Sequence, residues 1–242
     1  MKKLLLVLAG LILSDFGYEY FTLPDVSYLS RENPQETALM RQREEEAHSL
    51  GRKIRRVQTW VPLSSIPDYL MTAILIGEDD AFYQHEGFDL NQIKESFIRN
   101  WEKKGFVRGG STITQQLAKN LYLSTSKSPF RKVKEFLIAR RLEEMLTKRR
   151  ILELYLNVIE WGDGIYGVES ASNVYFNKST RDLNVQEAVL LAAVIPNPRR
   201  MNPKRLTKRV QYRFSLILDR MVQYGHITEQ EYQKARNLSV HE

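Results

Sequence analysis

The apolar positions of this chain recur at helical spacing almost throughout. Ten consecutive apolar residues, Leu4 to Leu13, follow Lys2 and Lys3. Ten residues of helix rise about 15 Å, roughly half a bilayer core. To span, that helix must continue through Phe16, Tyr18, Tyr20 and Phe21 and carry Asp15 and Glu19 with it, which is costly near the membrane centre. A basic start without a clean small-x-small cleavage site favours an uncleaved export anchor over residues 1–24, ahead of a cleaved signal or a buried core helix. The two lysines place the N-terminus in the cytoplasm and the rest outside. Residues 25–59 turn polar and read as a linker or solvated helix. The body, residues 60–242, follows as helix after helix with start signals. Pro67 opens one helix, and Asp89 caps the next, in which Ile93, Phe97 and Trp101 recur. Thr112 and Gln115 form a capping box, and Ser128-Pro129 starts a stretch with Val133, Phe136, Leu137 and Leu142 on or near one face. Asn184-x-x-Glu187 precedes VLLAAVI, Asn202-Pro203 begins a helix running to Gly225, and Thr228-x-x-Glu231 begins the last. Alternating strand patterns are scarce, so the predicted fold is mainly α.

Composition narrows the class. The 242 residues hold 36 Lys plus Arg against 29 Asp plus Glu, a net +7, and the absence of Cys excludes a disulfide framework, a zinc-thiolate site and a thiol nucleophile. Gly162-Asp163-Gly164-Ile165-Tyr166-Gly167 fits the dinucleotide fingerprint, with Asp182 twenty residues on. That fingerprint needs a preceding strand within a βαβ chain, whereas Ile151, Leu152, Tyr155, Leu156 and Ile159 have helical spacing, so a glycine-rich turn is the better reading.

Candidate chemistry lies between residues 78 and 167. Glu78-Asp79 ends the apolar helical run Ala73-Ile74-Leu75-Ile76, with Phe82 and His85 following. A carboxylate emerging from apolar surroundings has its neutral form favoured and becomes a better proton acceptor near neutral pH; the alternative is that Glu78 merely ends its helix and His85 makes a structural hydrogen bond. In Gly109-Gly110-Ser111-Thr112 two glycines lead a hydroxyl-rich turn into a helix N-terminus, with Lys119 further on: a place for an anion such as phosphate, or simply a well-capped polar helix. Arg131 and Glu135 are i, i+4 partners, either a surface ion pair or a carboxylate kept ionised by cations to organise a metal or a departing pyrophosphate.

Together the ordered segments EDDAFYQHEGFD (78–89), GGSTITQQLAKNLYL (109–123), RKVKEFLIARRLE (131–143) and ILELYLN (151–157), with the glycine turn leading to Ala171 and Tyr175-Phe176, resemble the motif set of peptidoglycan glycosyltransferases. These enzymes polymerise lipid II, and the domain also occurs in bifunctional penicillin-binding proteins. Without a K-T-G transpeptidase signature or a following second domain, the chain is similar to the monofunctional form. The resemblance implies a lysozyme-like, mainly α-helical fold in two lobes. It implies Glu78 as the general base that deprotonates the acceptor sugar 4-hydroxyl, and Glu135 on the leaving-group side, holding a divalent metal (Mg or Mn) near the pyrophosphate. Ser111, Gln115, Gln116, Lys119 and Arg131 match positions that bind sugar and phosphates, and Asp79, Phe82, His85, Thr112, Asn120 and Lys132 join them as substrate-binding residues. Lipid II, the growing glycan chain and the membrane are the implied partners, with cell-wall synthesis or division proteins beside them, and nucleic acid is not among them. The implied location is the bacterial inner membrane, single-pass, with the catalytic domain on the periplasmic side. Arg52-Lys53, Arg55-Arg56, Lys148-Arg149-Arg150, Arg199-Arg200, Lys204-Arg205 and Lys208-Arg209 could face anionic headgroups, at about 1 kcal/mol per residue, or be solvated helix faces.

Three other readings stand beside this one. A lytic enzyme could share the fold and one carboxylate, but the cationic GGSTITQQLAK segment suits a pyrophosphate better than a neutral glycan. A nucleic-acid binder would explain the charge but not the export signal. A non-catalytic scaffold is the third, and it leaves the presence of both Glu78 and Glu135 without a purpose.

Overall fold

The computed structural model describes residues 22–53, 56–88, 110–123, 125 and 129–237. The chain is mainly helical there. The helices are α1 (Ala38–Ser49), α2 (Asp68–Glu78), α3 (Ile113–Tyr122), α4 (Pro129–Met145), α5 (Lys148–Val158), α6 (Val168–Phe176), α7 (Val185–Val194), α8 (Lys208–Gln223) and α9 (Glu229–Arg236). Three short strands, β1 (Val57–Gln58), β2 (Glu160–Gly162) and β3 (Ile165–Tyr166), form a sheet of order β1-β3-β2. β1 is parallel to β3, pairing Val57 with Ile165, and β3 is antiparallel to β2 with an irregularity between Glu160 and Gly162. The predicted anchor and the helix expected after Asp89 fall outside the described residues. Among the described residues no helix is long and apolar enough to cross a membrane.

Two packed groups meet at the site. In one, α2, α7 and α8 pack against one another, burying Leu70, Ala73, Ile74, Val189, Leu191, Phe214, Ile217 and Leu218. In the other, α3 is the hub for α1, α4 and α5, through Ile113, Leu117, Ala118, Ile138, Leu142 and Ile151. The predicted capping boxes of α3, α7 and α9 all form; each reciprocal pair satisfies donors that helix geometry leaves without partners.

Several expectations change. α8 starts at Lys208 under a Thr207 cap and ends at Gln223, because Asn202-Pro203 makes a turn, with the Asn202 side chain accepting from Lys204 N. Leu142 is buried and Leu137 packs against the core as expected, but Val133 is 42% exposed, and α4 also buries Glu135, Ile138 and Ala139. The polar 25–59 stretch packs on the body. Leu29, Leu39 and Met40 are buried, Arg141 donates to Leu23 O and Pro24 O, and Arg150 donates to Leu29 O, Glu32 O and Asn33 Oδ1. The glycine motif is the β2–β3 turn. A Cβ on Gly162 would fall 2.2 Å from the Tyr175 hydroxyl, and one on Gly167, whose φ is +81°, would fall 2.8 Å from Asn157 O. Close packing and backbone shape explain these two glycines without a phosphate.

Candidate active site

α2 delivers Glu78 at its last position, after buried Ala73, Ile74 and Ile76. Gly77 lets α8 come close, since a Cβ there would sit 3.0 Å from Ile217 Cδ1. Arg213 of α8 donates to Glu78 Oε1 at 2.8 Å. Gln116 of α3 donates to Glu78 Oε2 at 3.2 Å, and the Tyr155 hydroxyl of α5 donates to Gln116 Oε1 at 3.0 Å. The tyrosine therefore fixes which end of the Gln116 amide faces the carboxylate. The Glu78 side chain is 10% exposed. Burial pushes its pKa above the ordinary 4.5, against the opposing pull of Arg213, Gln116 and Lys119. The same burial, with the Glu78 and Asp79 charges, drives the Tyr155 phenol well above its usual value, so Tyr155 acts as a hydrogen-bond donor.

Asp79, Phe82, His85, Thr112 and Gln115 were expected at the substrate. Four of them are buried within the protein. Asp79 has no exposed surface, Phe82 is 1% exposed and Thr112 and Gln115 are buried; a side chain without surface cannot touch a substrate. Asp79 accepts from Ile113 N at 2.9 Å and meets His85 Nε2 at 3.0 Å. Gly87 N donates to His85 Nδ1, which leaves Nε2 as the donor to Asp79. Thr112 donates to Gly87 O at 2.7 Å, while Lys148 lies over the Phe82 ring at 4.4 Å. These residues splice the end of α2 to the start of α3. They also correct the phosphate-cradle reading of the α3 N-terminus: Thr112 N, Ile113 N and Gln115 N already donate to Gln115, Asp79 and Thr112 side chains.

A cluster of cations, built from side chains, stands nearby instead. Glu135 of α4 is 2% exposed, so it is not a surface ion pair. Arg131 donates to its Oε2 at 2.6 Å, and Lys132 donates to its Oε1 and to Ser111 Oγ, the latter at 3.0 Å. One buried carboxylate thus orders two cations, beside a hydroxyl. Lys119 stands on α3 between the clusters, attracted by both Glu135 and Glu78. Burial, with Arg131 and Lys132 nearby, lowers its pKa below 10.5. Its ammonium has no hydrogen-bonded or ion-paired partner in the described structure, which leaves it ready for an anion. Asn120 donates to Gln116 O at 2.8 Å. A polar cavity of about 200 Å³ opens beside Gln116, Lys119 and Asn120.

Two members were missed in the sequence. Arg213 sits in an ordinary amphipathic helix 135 residues from Glu78, and only tertiary packing joins them. Tyr155 lies in the ILELYLN segment, where helical spacing marks it as core. The Glu153 and Asn157 side chains of that segment hold the 61–63 backbone, at Leu63 N, Val61 N and Val61 O.

A buried carboxyl of raised pKa facing a set of cations has the chemistry suited to transferring a group away from an anionic leaving group. The family model described as Transglycosylase matches residues 44–222. A biosynthetic peptidoglycan transglycosylase of Dechloromonas aromatica is 42% identical over 221 residues, 91% of this chain and 94% of that protein. Another, of Nitrosospira multiformis, is 39% identical over 206 residues, 85% and 90% of the two chains. The chain belongs to the transglycosylase family. The crystal structure of penicillin-binding protein 1A from Haemophilus influenzae overlaps 76% of this chain and 18% of its own, at 24% identity and TM-score 0.46, too distant to carry an argument.

Proposed function

We propose that the protein polymerises lipid II into linear β-1,4 glycan strands, with Glu78 as general base. The observation that carries this is the division of labour across α3: a base with raised pKa on one side, a cation cluster on the other, and Lys119 between. The acceptor 4-hydroxyl oxygen attacks the anomeric carbon of the lipid-linked strand as the bond from that carbon to the diphosphate oxygen breaks, with inversion. The hydroxyl proton passes to Glu78. The negative charge left on undecaprenyl diphosphate is received by Lys119, Arg131 and Lys132, with Ser111 Oγ beside them. Gln116 and Asn120 face the cavity that would accept sugar, whereas Asp79, Phe82, His85, Thr112 and Gln115 serve as supports. Two lobes, one holding α2, α7 and α8 and the other α3 to α5, would place the cleft along α3.

Glu135 does not fit a resident metal. Both of its oxygens are engaged by Arg131 and Lys132, and among the described residues no group of three or more His, Cys, Asp or Glu stands together. A magnesium ion keeps most of its water and is held largely by substrate phosphates, so a required Mg or Mn would arrive with the diphosphate, and no step above depends on it. Residues 1–24 would anchor the domain to the inner membrane, with the exposed Arg200, Lys204, Arg205, Lys208 and Arg209 towards anionic headgroups. Of the other basic residues, Arg56 pairs with Glu36, Arg199 with Glu46, Lys148 with Glu143 and Arg150 with Glu153, and Arg55 lies outside the described residues.

Labelled lipid II incubated with the full chain in detergent, with and without Mg, tests the proposal. A muramidase-sensitive polymer with release of undecaprenyl diphosphate is expected. Cleavage of preformed glycan without polymer would establish a lytic enzyme, and unchanged lipid II a scaffold.

A further inference from the structure

Glu78 faces a conflict that the reaction alone does not resolve. A base must be rigid enough to meet one hydroxyl and free enough to take its proton. Both oxygens have donors in the structure, but of unequal kind. Oε1 takes the Arg213 guanidinium at 2.8 Å, while Oε2 takes only the neutral Gln116 amide at 3.2 Å. Arg213 is itself fixed, since Nε donates to Ala193 O at 3.0 Å and Nη2 to Gly77 O at 3.3 Å. These carbonyls belong to α7 and α2, so the guanidinium spans three helices and cannot follow the carboxylate if it turns. Its side chain is 20% exposed against 10% for Glu78, which puts the pair at the floor of the site.

Resting on the reading of Glu78 as the base, we propose that Arg213 is its positioning residue: it clamps Oε1 against the α2–α7–α8 bundle and leaves Oε2 as the oxygen that takes the acceptor proton. The weaker Gln116 bond at Oε2 is the one an incoming hydroxyl can replace, and Tyr155 keeps that amide oriented while it does. The asymmetry has a direction in pH. Arg213 favours the ionised carboxylate and burial the neutral one; Gln116 and Lys119 add to the first effect, and the un-ionised Tyr155 phenol lies within reach of the Glu78 and Asp79 charges. Removing Arg213 leaves burial less opposed, so the carboxyl must hold its proton to higher pH. A residue that bound the leaving diphosphate would change substrate affinity instead.

The test uses the full chain and compares Arg213→Met and Arg213→Lys with wild type for kcat and KM on lipid II across pH. For Arg213→Met, kcat at neutral pH should fall about 30-fold or more, KM should stay within about twofold, and the acid limb of the profile should move up by about one pH unit or more. Arg213→Lys, which keeps the charge but loses the fork, should recover part of kcat and most of the limb position. An unmoved limb with raised KM would make Arg213 a substrate ligand and overturn the proposal; an unmoved limb with an unchanged kcat would make it a structural residue and do the same. Melting temperatures of Arg213→Met, Glu78→Gln and the double variant keep the clamp testable should Arg213→Met be too unstable to assay. The arginine substitution should cost less once Glu78 is neutral, and equal costs in both backgrounds would contradict the clamp. Wild type that makes no polymer, or an active Glu78→Gln, would sink the reading of the base while this melting comparison still reports on the pair.

Discussion

Glu78, the glutamate at the C-terminal end of an apolar helix, is proposed as the base, and its burial raises its pKa against the pull of Arg213, Gln116 and Lys119. Its raised pKa has a working consequence. Only the ionised form accepts a proton, so kcat/KM should fall on acidification through a midpoint above the 4.5 of an ordinary glutamate. Lys119 works in the opposite sense: burial lowers its pKa, so its charge, and with it the hold on diphosphate proposed for it, should be lost on the alkaline side below 10.5. A pH profile of polymerisation on labelled lipid II reads both limbs. Lys119→Ala should lower kcat/KM by about 10²-fold, the scale seen when one donor to a developing negative charge is removed. At this scale the sequence made the candidates legible, because Glu78, Lys119, Arg131 and Glu135 each sit in a local pattern that favours the chemistry proposed for them. It did not distinguish residues at the site from those beneath it. Asp79 and His85 stand beside Glu78 in the chain, yet burial turns them into the splint between α2 and α3, and Arg213 reaches Glu78 only through helix packing.

The central element is α3. Its capping box was legible from Thr112 and Gln115 because capping is a local exchange of donors and acceptors. The third clamp, Asp79 on Ile113 N, arrives from 34 residues away and was not. Asp79→Ala would leave that N–H and the His85 Nε2–H buried without an acceptor, at about 1–3 kcal/mol for each neutral donor. Thermal melting should therefore show a loss of several degrees or more, and polymerisation should weaken as α3 loses its position against Glu78. The β2–β3 turn makes a parallel case. Gly167→Ala would combine a positive φ with a Cβ 2.8 Å from Asn157 O, and melting should fall by about as much as for a strained or overpacked core site, 1–3 kcal/mol. The turn was legible as glycine-rich, but the reason for each glycine lay in Tyr175 and Asn157, which the chain brings in from outside the motif. α8 was misplaced at its start because Asn-Pro serves a turn as readily as a helix N-terminus, and the sequence offers Thr207 five residues later as the better cap.

Across the whole molecule, the site exists where the α2–α7–α8 group meets the α3 group, and the N-terminal segment is strapped over the second of these. Val26 and Leu29 are 1% and 0% exposed, and Arg150 grips the strap at three acceptors. Deletion through residue 33 should cost about 3–6 kcal/mol more than deletion of residues 1–21, from those two side chains alone. The mainly α class was legible because helical periodicity and caps are local. The strap was not, since its polar composition resembles a linker and only Arg141 and Arg150, far along the chain, reveal its seat.

The central claim is that Glu78 removes the acceptor proton, and one comparison bears on it most directly: Glu78→Gln against wild type, on labelled lipid II at neutral pH, with melting temperatures to establish that both are folded. The account predicts muramidase-sensitive strands from wild type and, from a folded variant that still binds lipid II, polymer reduced by a factor of at least about 10². Polymer from Glu78→Gln at a rate near that of wild type would contradict it.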